Sequence, residues 1–391
     1  MAVIESLSYE DLIAGKDLSD AVGRAFGRDG IGLLVVTGVQ EMRNLRHKTL
    51  KLARLLSRLP PEELQKLERP STHYCVGYSC GREKFKGRPD TAKASFYFNP
   101  IHESPLDAWS ADTGRSAEEL RSTKERYPIV AEPNTWPECV EGHPLHELRE
   151  KARALGQLMH RVGMLVIKQC DRYVAKCTPS YPPDRLEATL RRSHLMVGRL
   201  LHYFPLQQQQ ASCGQSDANG LEASWCGWHN DNSTITALCP AIFIDDVTGE
   251  VVPSPAAAAP KSDPCGNTKA GLLVERRDGC IQQVSMGEEC IGFQIGEASQ
   301  IHTGGCLAAT PHCVSAPPTP NTCRESLALF MEPNWDDCMS PPSGTSPADV
   351  IGPEKPSEKV PPLAERWVDG QTFGDFLKRS FERYYAHNNP N

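Results

Sequence analysis

The segment 225–236 constrains this chain more than any other, because it carries two metal-binding side chains on a pattern that predicts a β-strand. Side chains at positions i and i+2 of a strand point to the same face, so His229 and Asp231 can reach one ion together. This is the only His-x-Asp sequence in the 391 residues. A third ligand could come from His312, which follows a second strand pattern 83 residues later.

Two histidines and one carboxylate form the facial triad of non-haem Fe(II) sites, which leaves three positions on the metal open. Twelve residues after His312, Arg324 and Ser326 precede another strand pattern, 327–331. Their i, i+2 spacing places a guanidinium and a hydroxyl on one face. The order of these groups along the chain therefore predicts an iron site with a cationic group near it.

Length, charge and apolar content exclude several classes of protein. The chain is long enough for one large domain or two moderate ones. A formal charge of -7 without a long basic run argues against nucleic acid as the main partner. No apolar stretch approaches the roughly 20 residues that span a bilayer. The N-terminus lacks the basic and apolar regions of a signal peptide, so we expect the cytosol, or the cytosol together with the nucleus.

The 15 cysteines do not indicate a disulfide scaffold. An odd number cannot be fully paired, and the chain is much larger than disulfide-rich domains. Zinc sites usually show short paired spacings, and no Cys-x-x-Cys is present. We predict reduced thiols that serve mostly as small buried hydrophobes, with a redox role as the alternative.

Hydrophobic periodicity predicts helices in the first half and strands in the second half of the chain. The segment 104–144 is polar and weakly periodic, which predicts mostly irregular structure. Predicted helices are 8–25, 42–59, a proline-initiated helix from 59, the long helix 146–177 and a terminal helix 373–385. Predicted strands are 30–38, 196–205, 235–244, 271–275 and 290–297, with a hairpin at 299–310 turning at Gly304-Gly305. Predicted loops are 207–220, a surface insertion at 247–270, and 341–362.

The motifs together resemble the iron- and 2-oxoglutarate-dependent dioxygenases, in the branch that includes isopenicillin N synthase. That family has His-x-Asp, a distal His and Arg-x-Ser, and the segment 198–205 is similar to its strand ending in Asn-Tyr-Tyr-Pro. The resemblance implies an α+β fold, with a double-stranded β-helix (jelly roll) core, an N-terminal helical region and a long packing helix. The expected regions are an N-terminal region (1–130), a spine helix and linker (131–190), the catalytic core (191–335) and a C-terminal loop and helix (336–391).

The resemblance also implies a ligand set and a co-substrate. Fe(II) would be held by His229, Asp231 and His312, while Arg324, Ser326 and Tyr203 would bind 2-oxoglutarate. O2 would take the last open metal position, with ascorbate as an optional addition. No catalytic residue beyond the ligands is expected. The substrate would be a small molecule, entering past the segment 74–101.

Several departures and alternatives remain open at this stage. His202 and Phe204 replace the family's Asn and second Tyr, and Cys313 stands where many relatives have Arg. His302 is a rival third ligand. Asp231 argues against a halogenase, in which a small residue replaces the carboxylate. The alternative functions are an isopenicillin N synthase-like oxidase that uses no 2-oxoglutarate, and a non-catalytic binding module. Neither nucleic acid nor a membrane is an expected partner, and the oligomeric state is open.

Overall fold

The strands of this protein form two main sheets and one short hairpin. The computed structural model describes residues 4–82, 84–85, 88–130, 132–205, 224–254, 270–317, 319–352 and 357–388. The strands are β1 (Ser6–Ser8), β2 (Leu33–Thr37), β3 (Gly77–Cys80), β4 (Lys84–Phe85), β5 (Arg88–Pro89), β6 (Lys93–Phe98), β7 (Met196–Tyr203), β8 (Ser224–His229), β9 (Ile235–Leu238), β10 (Ile242–Asp245), β11 (Val251–Val252), β12 (Gly271–Glu275), β13 (Ile281–Gln283), β14 (Ile291–Ile295), β15 (His312–Ser315) and β16 (Thr322–Met331).

The strand order is that of a jelly roll. The large sheet has the order β1-β2-β14-β9-β16-β7-β6-β3, and the small sheet has the order β13-β12-β15-β8. From β7 onward the chain alternates between the sheets, since β8, β12, β13 and β15 join the small sheet while β9, β14 and β16 join the large one. These eight strands pair antiparallel within each sheet. The predicted double-stranded β-helix core is therefore confirmed.

Apolar side chains from both sheets meet in the barrel interior. Tyr203 of the large sheet packs with Trp225 and Val314 of the small sheet. In a second cluster, Leu33 of β2 packs with Val274 of β12. The N-terminal region thus supplies strands to the same sheet as the core.

Helices cover the outer face of the large sheet. The predicted long helix is confirmed as α7, which packs with α3 against the sheet in the main hydrophobic core. Gly163 permits a close approach, because a Cβ there would lie 2.5 Å from Met331 Sδ. The helices are α1 (Tyr9–Ile13), α2 (Ser19–Phe26), α3 (Gln40–Ser57), α4 (Pro61–Leu67), α5 (Pro105–Thr113), α6 (Ala117–Arg126), α7 (Leu148–Cys177), α8 (Arg185–Arg192), α9 (Glu297–His302), α10 (Pro347–Ile351), α11 (Leu363–Arg366) and α12 (Phe373–Asn388), with 3-10 turns at Pro70–Thr72 and Pro128–Val130.

Two predictions for the first half of the chain were wrong. The segment 104–144 is not mostly irregular, since Ser104 caps α5 and a Ser116/Glu119 capping box starts α6. Local capping stabilises these helices although their apolar periodicity is weak. The single helix predicted for 8–25 is interrupted by Gly15, which has a φ of 71° that suits glycine.

Three predictions for the second half also need correction. The strand predicted for 235–244 is divided into β9 and β10 around Pro240, which cannot donate to a sheet. The hairpin predicted for 299–310 was wrong: the helix α9 occupies 297–302, and the positive φ angles of Gly304 and Gly305 follow it. The loop predicted for 341–362 contains α10, which starts with a Ser346/Asp349 capping box.

Some predictions fall on residues that the structure does not describe. The predicted loop 207–220 and most of the predicted insertion, 255–269, lie outside the described residues. The 13 cysteines within the described ranges form no disulfide, while Cys213 and Cys265 fall outside them. None of the described helices is both long and apolar enough to cross a bilayer.

Candidate metal centre and co-substrate site

The three predicted metal ligands lie together at one end of the small sheet. β8 ends at His229, β15 begins at His312, and the two residues are directly paired. Asp231 follows two residues after the end of β8. One ligand atom from each residue lies within 4.8 Å of the others. The pairing of β8 with β15 shifts register just before the histidines, as β-bulges often do beside active sites.

The ligand atoms surround a gap and do not bond to one another. Asp231 Oδ1 lies 3.8 Å from His229 Nε2 and 3.7 Å from His312 Nε2, and both distances are too long for a hydrogen bond. Asp231 is buried, and its Oδ2 has no hydrogen-bond partner among the described residues. A buried carboxylate oxygen without a partner is costly unless another group binds there. This donor set fits a divalent first-row metal such as Fe(II).

Backbone carbonyls fix the orientation of both imidazoles. His229 Nδ1 lies 2.8 Å from Gly227 O, and His312 Nδ1 lies 3.3 Å from Thr310 O. A carbonyl only accepts, so each Nδ1–H donates and the neutral form of each imidazole keeps its lone pair on Nε2 for a metal. Burial, together with repulsion from His229, lowers the pKa of His312 to about 4, which keeps that imidazole neutral.

The predicted co-substrate residues lie on the inner face of the large sheet. Arg324 pairs with Tyr203 across β16 and β7, and its guanidinium lies 5.0 Å from the centre of the Tyr203 ring. Ser326 is two residues further along β16, so it shares the face of Arg324. Arg324 is only 8% exposed, and its Nε has no hydrogen-bond partner among the described residues. A buried cation with an unmatched N–H is suited to bind an anion.

A chain of contacts connects the arginine to the metal ligands. The Tyr203 ring lies 5.4 Å from the Trp225 ring, and Cys226 packs against the same apolar cluster. Cys226 Sγ in turn lies 4.0 Å from His229 Nδ1. The triad and Arg324 therefore line one interior.

Comparison with known proteins gives matches to solved structures alone. No protein-family profile matches the sequence, and neither does any curated protein. A full-length Neurospora crassa protein, crystallised in complex with alpha-KG, has 17% identity and a TM-score of 0.63 over 96% of this chain and 94% of its own. A putative 2OG-Fe(II) oxygenase family protein from Caulobacter crescentus has 17% identity and a TM-score of 0.60 over 98% and 100%. A rice dioxygenase for auxin oxidation has 16% identity and a TM-score of 0.55 over 97% and 95%.

This chain has the fold of the 2OG-Fe(II) oxygenases. Identities of 16–17% show the fold alone, and they do not select the isopenicillin N synthase branch.

The rival ligand His302 does not belong to the triad of this oxygenase fold. It lies in α9, where its Nε2 is 3.2 Å from Cys338 O. Burial lowers the pKa of His302 to about 3, so it is a neutral core histidine. His202, the departure from the family's Asn, points to the outer face of the large sheet and contacts Glu325. His202 therefore points away from the face that carries Arg324.

The segment between the ligands is held by the C-terminal region, which the sequence did not suggest. Asn230 donates its backbone N–H to Tyr384 Oη and its side-chain amide to Glu297 Oε1, both at 2.9 Å. The Glu297 carboxylate also accepts hydrogen bonds from both Nη1 and Nη2 of Arg366. The Glu297 backbone N–H donates to Asp231 O at 2.8 Å. These contacts fix the backbone on both sides of the carboxylate ligand of this oxygenase fold.

Proposed function

We propose that this protein is an Fe(II)- and 2-oxoglutarate-dependent dioxygenase that oxidises a small-molecule substrate. The observation that carries this proposal is one barrel interior lined by both an open His/Asp/His triad and a buried arginine with an unmatched N–H. Structural neighbours support the cofactor assignment, since one was crystallised with 2OG, Fe and JA, and the Neurospora crassa protein with alpha-KG and either thymine or 5-formyluracil. We also propose a cytosolic or nuclear location, on the basis of sequence alone.

In this proposal one set of residues binds the metal and another set orients the co-substrate. His229 and His312 would bind Fe(II) through Nε2, and Asp231 would bind it through a carboxylate oxygen. Iron bound here together with 2-oxoglutarate and O2 would supply the oxidising power, with 2-oxoglutarate converted to succinate and CO2. Arg324 would bind the far carboxylate of 2-oxoglutarate through two parallel hydrogen bonds, with Ser326 as a second donor. The Arg324 guanidinium lies over the face of the Tyr203 ring, which helps to orient it. Burial of Arg324 strengthens this contact because it excludes water.

The test measures labelled CO2 release while 2-oxoglutarate is titrated into the Fe(II)-loaded protein. Without its own substrate, the wild type should turn over slowly and release succinate. Arg324→Met should raise the half-saturation for 2-oxoglutarate roughly 10- to 150-fold, since a charge-assisted contact contributes about 1.5 to 3 kcal/mol. Arg324→Lys should raise the half-saturation less than Arg324→Met does. The lysine ammonium keeps the positive charge but cannot form the two parallel hydrogen bonds of the planar guanidinium.

Arg191→Lys is a matched control, because Arg191 is exposed on α8 and pairs with Glu187. It should leave the half-saturation unchanged. A wild type that binds Fe(II) but shows neither turnover nor chelation of 2-oxoglutarate would reject the dioxygenase assignment. The oxidase without 2-oxoglutarate or the non-catalytic module would then be favoured.

A further inference from the structure

A buried glutamate without a partner follows directly after β16. Glu332 is only 8% exposed. Its carboxyl group forms no hydrogen bond or ion pair with any residue that the structure describes. Burying a carboxyl group in this state is costly unless a ligand binds to it. The position of Glu332 therefore indicates what that ligand is.

The pairing of the large sheet continues past the end of β16 and places Glu332 near the metal ligands. The Glu332 N–H donates to Leu195 O at 3.3 Å, and the Thr234 N–H donates to Met331 O at 3.0 Å. The register of β16 with β9 sets Glu332 opposite Thr234, three residues after the ligand Asp231. Burial, together with the negative charge of Asp231, raises the pKa of Glu332 to about 8. The two carboxyl groups are thus close enough for their charges to interact.

Alternation along β16 directs the Glu332 side chain into the barrel. Met331 packs so closely on Gly163 of α7 that a Cβ there would lie 2.5 Å from Met331 Sδ. Met331 therefore points to the outer face, which the helices cover. Its neighbours Phe330 and Glu332 point to the opposite face, which also carries Arg324. Glu332 is aimed into the same interior as the triad.

Solvent reaches the inner face of the sheet beside Glu332. Phe330 is only partly buried, although Leu329 and Met331 on the outer face are fully buried. The side chain of His229 is also 30% exposed. The interior is therefore accessible near the triad, and the Phe330 ring has apolar area left to bury against a ligand.

Glu332 does not belong to the co-substrate site. It lies eight residues beyond Arg324, which is roughly 26 Å along a strand at about 3.3 Å per residue. A molecule of 2-oxoglutarate held by Arg324 cannot extend over that distance, and a carboxyl group does not attract a dicarboxylate. The ligand of Glu332 is therefore a different molecule, and in an oxygenase that molecule is the substrate.

We propose that Glu332 binds a hydrogen-bond donor of the substrate, so that the oxidised molecule carries an N–H or O–H group beside an apolar part that packs on Phe330. The donor is either a neutral hydroxyl or amide, or a protonated amine. A carboxyl oxygen accepts a hydrogen bond from each of them, and an ammonium group also pairs with the charge of a carboxylate. This inference rests on the proposed function, because Glu332 can select a substrate for oxidation only if the triad holds iron.

The test is calorimetric titration, under argon, of the protein saturated with Fe(II) and 2-oxoglutarate. The probes are benzyl alcohol, benzylamine and benzyl methyl ether, which has the same ring but no donor. The wild type should bind the alcohol or the amine saturably, and the ether at least about twofold more weakly. Benzyl alcohol is a neutral donor and benzylamine a cationic one, so the two probes separate the two kinds of substrate.

Two variants of Glu332 locate the binding site. Glu332→Met removes the acceptor, so binding should weaken roughly 2- to 10-fold for the alcohol or 10- to 150-fold for the amine, while the ether binds as before. A purely structural role would weaken the binding of all probes alike. Glu332→Gln keeps an acceptor oxygen without the charge, so it should retain the alcohol and lose the amine. The control Glu125→Met, at an exposed position of α6, should bind every probe as the wild type does.

Denaturant unfolding gives a readout that does not depend on the probes. Glu332→Met and Glu332→Gln should not lower the free energy of unfolding, and Glu332→Met should raise it, because it removes a buried polar group that has no partner in the protein. A decrease in both variants would show that the carboxyl group stabilises the fold, and it would overturn the proposal.

Failure of this inference is distinguishable from failure of the proposed function. If the wild type does not bind Fe(II) and 2-oxoglutarate, the proposed function fails and the substrate inference fails with it. If it binds both but neither donor gives a saturable isotherm, the substrate inference alone is overturned. It is also overturned if Glu332→Met keeps the preference for a donor over the ether, and in both cases the dioxygenase assignment stands.

Discussion

One cluster of potential metal ligands lies at an end of the small sheet and another lies on the outer face of the large sheet, and they differ in how their members contact each other. The inner cluster is the triad of His229, Asp231 and His312, and the outer cluster contains His202, Cys323 and Glu325. In each cluster the ligand atoms lie within 4.8 Å of one another. Each also has a buried carboxylate oxygen without a partner among the described residues. Proximity and an unpartnered carboxylate oxygen therefore do not distinguish the two clusters.

The two clusters differ in the hydrogen bonds among their ligand atoms that a metal would have to displace. In the outer cluster His202 Nδ1 and Glu325 Oε1 form a 2.7 Å hydrogen bond. Burial raises the pKa of Cys323 and of Glu325, which makes the charged forms that bind a metal less favourable there. In the triad both Nε2 atoms are more than 3.5 Å from the carboxylate, and carbonyls hold the opposite nitrogens. We conclude that the inner cluster is open to a metal and that the outer cluster is a closed pair.

The largest expected effect is on metal binding. Asp231→Ala and His312→Ala should each abolish stoichiometric Fe(II) binding, because each removes a ligand of the open cluster. Metal analysis beside circular dichroism measures both binding and folding. The fold should survive, since the hydrophobic cores of the barrel do not include the ligands.

His302→Gln is the control for these variants, because His302 is also buried but lies outside the triad. It should bind Fe(II) as the wild type does. Full iron occupancy in His312→Ala would reject the third ligand, and a wild type that binds two equivalents would show that the outer cluster is open as well.

The next largest effect is on stability. His202→Ala should lower the free energy of unfolding by roughly 3–5 kcal/mol, because it leaves a buried carboxyl group without its partner. Glu325→Gln should cost less, since the amide oxygen can still accept from Nδ1. Denaturant unfolding measures both variants. Fe(II) stoichiometry should be unchanged, and a loss of iron in His202→Ala would contradict the division between the two clusters.

The smallest expected effect is on Fe(II) affinity, through a contact that holds the backbone of the inner cluster. Tyr384→Phe removes the acceptor for the Asn230 N–H, so Fe(II) affinity should fall by about 0.5 to 1.5 kcal/mol, or roughly 2- to 10-fold. Phe381→Tyr on the same helix is the control, because Phe381 is exposed. If Tyr384→Phe lowers thermal stability but leaves iron affinity unchanged, the tyrosine is structural and does not position the site.

The sequence predicted the inner cluster because its ligands follow local strand patterns in a definite order. His229 and Asp231 are two residues apart, and Arg324 and Ser326 repeat that spacing, so periodicity alone assigns each pair to a face. The outer cluster was missed because His202 and Glu325 meet through strand register across 123 residues, which no local pattern encodes.

The contacts of Asn230 were missed for the same reason, because Tyr384 lies 154 residues further along the chain. The wrong hairpin at 299–310 has a different cause. Gly304 and Gly305 do have the positive φ of a turn, but buried Glu297 is anchored by Arg366 of a distant segment, and α9 begins there.

The contact between Asn230 and Tyr384 has a consequence for biosynthesis. The strand that carries His229 leaves the ribosome about 150 residues before the tyrosine that holds it, and Arg366 also emerges late. During translation the triad thus lacks the groups that fix its backbone. A nascent chain halted before α12 would lack the contact that fixes Asn230, so the backbone between His229 and Asp231 is held in place only when the last helix docks.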